Sequence, residues 1–113
     1  MSTKQRGYVP LTLDKQRRIH FGMNAFCALE EKGYDITALE QKGIKFSDIR
    51  AMLWAGLLHD KDFEDNPEWD EKAAGDLADK AENLQEVFKA VSRAVSLAFG
   101  QDPDTPKEQK PGN

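Results

Sequence analysis

The 113 residues are 39% hydrophobic and 32% charged, enough apolar material for one modest core and too little for two domains. No apolar run reaches the ~18 residues of a bilayer span, and the opening MSTKQRGYVP lacks an apolar signal core, so a cytosolic protein away from membranes is expected. The net charge of −4 is uneven, with Lys4, Arg6, Lys15, Arg17 and Arg18 against Asp14 in residues 1–20 and seven acids against Lys61 from Asp60 to Glu71. No basic stripe is interleaved with exposed aromatic rings, which argues against nucleic acid as a partner.

Residues 1–7 are polar and are expected to be disordered. From Tyr8 to Phe21 the pattern reads as a hairpin. Val9, Leu11 and Leu13 alternate, Asp14 to Arg17 supply the turn, and Ile19 and Phe21 alternate on the return. Pro10 cannot donate to a ladder, which confines its strand to an edge. Gly22 or Asn24 then opens a helix to about Lys32, with Met23, Phe26, Cys27 and Leu29 predicted inward and Glu30, Glu31 and Lys32 outward. Cys27, the single cysteine, is expected to be a buried small hydrophobe, having no partner within the chain for a disulfide or a thiolate metal site. Thr37 with Glu40 forms a capping-box pattern and predicts a short helix from Ala38 to Lys42, ending at Gly43.

Phe46 to Asp60, FSDIRAMLWAGLLHD, is the most apolar stretch and reads as a helix capped by Ser47 and ending near His59. At helical spacing Ile49, Met52, Leu53, Gly56 and Leu57 share one side, and Ala51, Trp54, Ala55 and Leu58 the other. A helix apolar on both sides must be covered twice, by its own chain or by a partner. Beyond an acidic connection, Asp70 is placed to cap a helix from Glu71 to about Ala81, weakened inside by Gly75. Asn83 with Glu86 starts the cleanest amphipathic helix, its stripe formed by Leu84, Val87, Phe88, Val91, Ala94, Val95 and Ala98, with Gly100 as its stop. Residues 101–113 hold three prolines and no large apolar side chain and are expected to be a disordered tail. The expected fold is therefore mainly α within α+β, four to five helices with an N-terminal hairpin over residues 8–100.

Candidate chemistry is sparse. Asp60, Asp62, Glu64 and Glu71 occupy the first, third, fifth and twelfth places of a calcium loop, but Asp65 stands where the turn needs glycine and Pro67 two places later, so a solvated acidic connection is the favoured reading. His20 and His59 lack companion ligands in the sequence, and His59 has an ordinary use at a helix C-terminus. Ser47, Ser92 and Ser96 carry no nucleophile motif, and there is no phosphate-cradling glycine loop. The paired carboxylates Glu30 with Glu31 and Glu64 with Asp65 are expected in solvent, where nothing tunes them for acid–base work. The expectation is a non-enzyme without cofactor or metal. Its one candidate partner surface is Ala51, Trp54, Ala55 and Leu58, offered to an apolar helix if its own chain leaves that side open.

Several segments together resemble the tail assembly chaperone family of long-tailed bacteriophages and gene transfer agents. They are LTLDKQRRIHFGMNAFCALEEKGYD, then DIRAMLWAGLLHD, then the short acidic helix containing Gly75, then NLQEVFKAVSRAVSLAFG, in order over about residues 8–100. AMLWAGLLHD with its preceding DIR is the most specific piece. The resemblance implies a small adaptor in the cytoplasm of the infected bacterium, absent from the finished virion, that coats the tape measure protein and delivers tail tube subunits to it. It brings no catalytic residues and leaves self-association open. Two other readings are a tail or head completion protein that stays in the virion, and a calcium-responsive binding module.

Overall fold

A computed structural model describes residues 7–35 and 43–100. The expectations for residues 1–6, for a helix at 38–42 and for the tail at 101–113 lie outside the described residues. Within them the order is β1 (Tyr8–Thr12), β2 (Gln16–His20), α1 (Met23–Glu31), α2 (Phe46–Gly56), α3 (Glu71–Ala78) and α4 (Leu84–Ala98), an α+β domain of four helices and one hairpin.

The two strands pair antiparallel with Val9 opposite Ile19 and Leu11 opposite Arg17. The turn is tighter than the sequence suggests. Leu13 N–H donates to Lys15 O at 2.9 Å, so Gln16 and Arg17 belong to β2. Alternation of bonded and unbonded pairs from that point puts Pro10, opposite Arg18, between bonded pairs, where its missing N–H costs the ladder nothing. Val9, Leu11, Leu13, Ile19 and Phe21 all turn into the core, as their alternation predicts.

In α1 the buried face is Ala25 and Leu29, with Phe26 half-buried. Met23 and Cys27 were expected inward and are exposed, Met23 by 77%. The small Ala25, four residues before Leu29, is what the helix presents to the core, and this rotates Met23 and Cys27 out to solvent.

Helix α2 begins two residues earlier than the Ser47 cap predicts. Its N-cap is Lys45, whose N–H donates to the Asp48 carboxylate at 2.9 Å, so the acid at the third helical position reaches back to cap this end and Ser47 lies inside the first turn. It also ends earlier, at Gly56, and tightens into turns, with Leu58 N–H on Ala55 O at 3.2 Å and Asp60 N–H on Leu57 O at 3.0 Å. The helix packs against α1, α3, α4 and β2. Gly56 is where β2 crosses it, since a Cβ there would stand 2.6 Å from Ile19 Cγ2.

Helix α3 stops at Ala78 rather than Ala81, the chain leaving it through turns in which Lys80 and Ala81 N–H reach Leu77 O and Ala78 O, both at 3.0 Å. Its cap is the expected one, Asp70 accepting from Ala73 N–H at 2.8 Å. Gly75 answers to close packing, because a Cβ would meet Arg50 Cδ at 2.9 Å. Asn83 caps α4 through Glu86 N–H at 3.0 Å. The hairpin lies on α4, whose buried stripe is Val87, Ala90, Val91 and Ala94, while Leu84 and Ala98, expected in it, stand exposed at either end.

Candidate functional site

The proposed partner face of the central helix is core. Ala51 is 0%, Trp54 7% and Ala55 1% exposed, and Leu58 is half-buried against them. Two indoles close this side. Trp54 Nε1–H donates to Trp69 O at 3.2 Å, and Trp69 Nε1–H donates back to Trp54 O at 3.1 Å. Phe63 stacks on Trp69 at 3.8 Å between centroids, and the Lys32 ammonium sits 4.9 Å over the Trp54 ring while bonding Glu71. The acidic connection thus folds back as the lid over the helix's second flank, which is why that flank has nothing to lend.

The same connection engages Arg17, which sequence reasoning left in a turn. Only 5% exposed, its guanidinium donates to both oxygens of Asp14 at 3.0 and 2.7 Å, to Asp60 at 2.9 Å and to Asp62 at 2.7 Å, and lies 4.7 Å over the Phe63 ring. These bonds hold the carboxyls of Asp14 and Asp62 below the usual carboxylate range, chiefly through the hydrogen bond to Arg17. Two of the four carboxylates that mimic a calcium loop are therefore spent on an internal cation. Among the described residues no three His, Cys, Asp or Glu side chains gather where a metal ion could be held.

His20 and His59 come together, which their separation in sequence does not suggest. His20 stacks on Tyr8 at 4.2 Å, and the His59 ring stands edge-on to both. His59 Nε2 is 2.7 Å from Arg18 O, so that nitrogen carries the proton and ties the turn after α2 to β2. This replaces the expected role at the helix dipole.

The surface left uncovered lies at the ends of the helices. Phe46, the first residue of α2, is 72% exposed, with Ile44 and Leu84 close to half exposed. Phe46 meets the half-buried Phe88 edge-to-face at 5.5 Å. Beneath these rings a cleft of about 120 Å³ is floored by Ile49, Leu53, Ala78 and Val87, with Arg50 and Asp79 at its rim. One aliphatic side chain is of that size. A larger groove of about 1080 Å³ runs between the hairpin and α4, but Lys80, Lys89 and Arg93 alternate there with Glu82 and Glu86, and it offers no exposed aromatic anchor. The signal for the Phe46 patch was legible in part. Phe46 continues the buried Ile49 and Leu53 stripe one turn beyond the core once the helix is started at Lys45.

The fold and this patch define a small α+β domain with an apolar cleft open at the shared end of α2, α3 and α4. Among the described residues no helix is long and apolar enough to cross a membrane. No protein-family model, curated protein or solved structure matches the chain.

Proposed function

We propose that the chain is a tail assembly chaperone, a non-catalytic adaptor that covers apolar helical stretches of a tape measure protein and brings tail tube subunits to it in the cytoplasm of the host bacterium. The reading rests on the resemblance over about residues 8–100. The observation that carries it is the Phe46 patch, where an exposed ring, two aliphatic side chains and a cleft of one side chain's size stand in for the face first sought at Trp54. An amphipathic helix lays such anchors into such clefts at three- and four-residue spacing. The acid-rich remainder of the surface keeps a complex of this kind in solution.

Co-expression with a tape measure protein, followed by affinity capture, tests the proposal. The wild-type chain is expected to retain the tape measure protein and the Phe46→Asp variant to lose it, with the far-ultraviolet circular dichroism of the two superimposed. Capture that survives Phe46→Asp removes the patch from the proposal, and no capture by the wild-type chain removes the chaperone reading. Mass spectrometry of purified particles is expected to find the protein absent, whereas a completion protein stays in them.

A further inference from the structure

We propose that the exposed face of α1, together with Phe99, is a second docking surface and that its partner is a cationic amphipathic helix. This goes beyond the chaperone reading and does not depend on it. Met23 is 77% and Phe99 60% exposed. Phe99 packs on Phe26 at 5.3 Å, and Phe26 in turn on the buried Phe21 at 5.5 Å, so a ladder of rings anchors Phe99 to the core, with Met23 one turn before Phe26 on the same helix. Met23, Phe26 and Cys27 fall at three- and four-residue spacing, and the same line continues into Glu30 and Glu31, both exposed. Apolar surface at one end and two acids at the other make a stripe along a single helix.

The charge identifies the occupant. Helix α1 has no acid in its first turn and no base in its last. Glu30 and Glu31 therefore lie at the end where the helix dipole is already negative, the reverse of the stabilising arrangement. The base that follows them in the chain, Lys32, is committed to Glu71 at 3.1 Å and to the Trp54 ring. A lysine- or arginine-bearing helix with an apolar stripe relieves this accumulated negative charge while covering Met23 and Phe99. An acidic or a neutral helix covers only the apolar part.

The test uses the full chain and two fluorescently labelled synthetic helices sharing one leucine stripe, one with lysine and the other with glutamate on the polar face, followed by anisotropy. The lysine peptide is expected to bind, more weakly as salt rises. The double variant Glu30→Lys with Glu31→Lys is expected to weaken it by about fivefold to tenfold and to bind the glutamate peptide instead. Met23→Ser, at a solvent-exposed position, is expected to weaken both peptides, and the preference for the lysine peptide is expected to persist in Phe46→Asp, which removes the other apolar patch as a helix site. Near-ultraviolet circular dichroism checks that each variant keeps its tryptophan packing. Equal binding of the two peptides, or indifference to the charge reversal, overturns the proposal. So does a dimer in light scattering that Met23→Ser dissolves, since the face then belongs to a second copy.

Discussion

Arg17 shows how one side chain decides the placement of a loop. Its partners Asp60 and Asp62 lie 43 and 45 residues away, so local reading of DKQR sees a turn and nothing of the cluster. Removing the guanidinium leaves three carboxylates facing one another with only the exposed Lys15 ammonium, 3.2 Å from Asp62, to offset them. Arg17→Ala is expected to cost about 2–3 kcal/mol, below the full cost of breaking a buried pair because Asp14 and Asp62 reach solvent. Urea denaturation measures it. Arg17→Lys is expected to recover less than half, since an ammonium cannot serve three carboxylates in a plane. The pH dependence has a definite sign. Asp14 and Asp62 are held below their ordinary value of 3.8, so the unfolded chain binds more protons there. Their contribution is complete above that value and is lost as pH falls through the lowered values. Wild-type stability should therefore drop more steeply than that of Arg17→Ala as pH falls below 3.8, which acid titration at fixed urea reads directly. Glu31→Lys at the end of α1 should instead raise stability by about 0.3–1 kcal/mol, by matching the dipole.

The elements themselves were largely readable, and the exceptions have a common cause. Caps at Asp70 and Asn83 and the alternation of the hairpin are local chemistry, and they stand where the sequence puts them. What periodicity cannot report is which side of a two-sided helix is already covered, and here the answer came from Trp69, fifteen residues beyond Trp54. With that side enclosed, Trp54→Asp is expected to unfold the domain rather than to leave it helical, because a carboxylate replaces a ring only 7% exposed. Loss of the far-ultraviolet helical signal at 25 °C is the readout. The two helical glycines, Gly56 at the end of α2 and Gly75 inside α3, give a sharper comparison, since both face close neighbours of different kinds. At Gly56 the obstacle is the branched methyl of a fully buried Ile19, and Gly56→Ala should cost about 1–3 kcal/mol through overpacking. At Gly75 it is the middle of the long, exposed Arg50 side chain, which can swing aside. Gly75→Ala should then be neutral or gain up to about 1 kcal/mol from helix propensity. Paired thermal melts of the two variants separate these cases.

Among the described residues Ile44 precedes α2 and Met23 opens α1, and the other large exposed apolar side chains stand at the two ends of α4, Leu84 beside Phe46 at the cleft of its N-terminal end and Phe99 at its C-cap. The helix between them has 15 residues, which sets the patches roughly 22 Å apart. Neither was apparent from composition, because Leu84 and Met23 look like core by spacing and only the rotation of each helix turns them outward. The aromatic rings in each patch are joined to less exposed ones, Phe46 to the half-buried Phe88 and Phe99 through Phe26 to the buried Phe21, so both surfaces are held in shape before anything binds. Sites this far apart without a shared contact are expected to act independently. Phe46→Asp and Met23→Ser should each leave the melting temperature within about 2–4 °C of wild type, as exposed positions do. Combined in one chain, their effects on binding should add as free energies, each variant's fold-loss toward its own partner unchanged by the other to within about twofold. A titration of both partners against the single and double variants checks this. A loss at one patch that follows from the substitution at the other would mean that α4 transmits strain between its ends instead of holding two fixed surfaces apart.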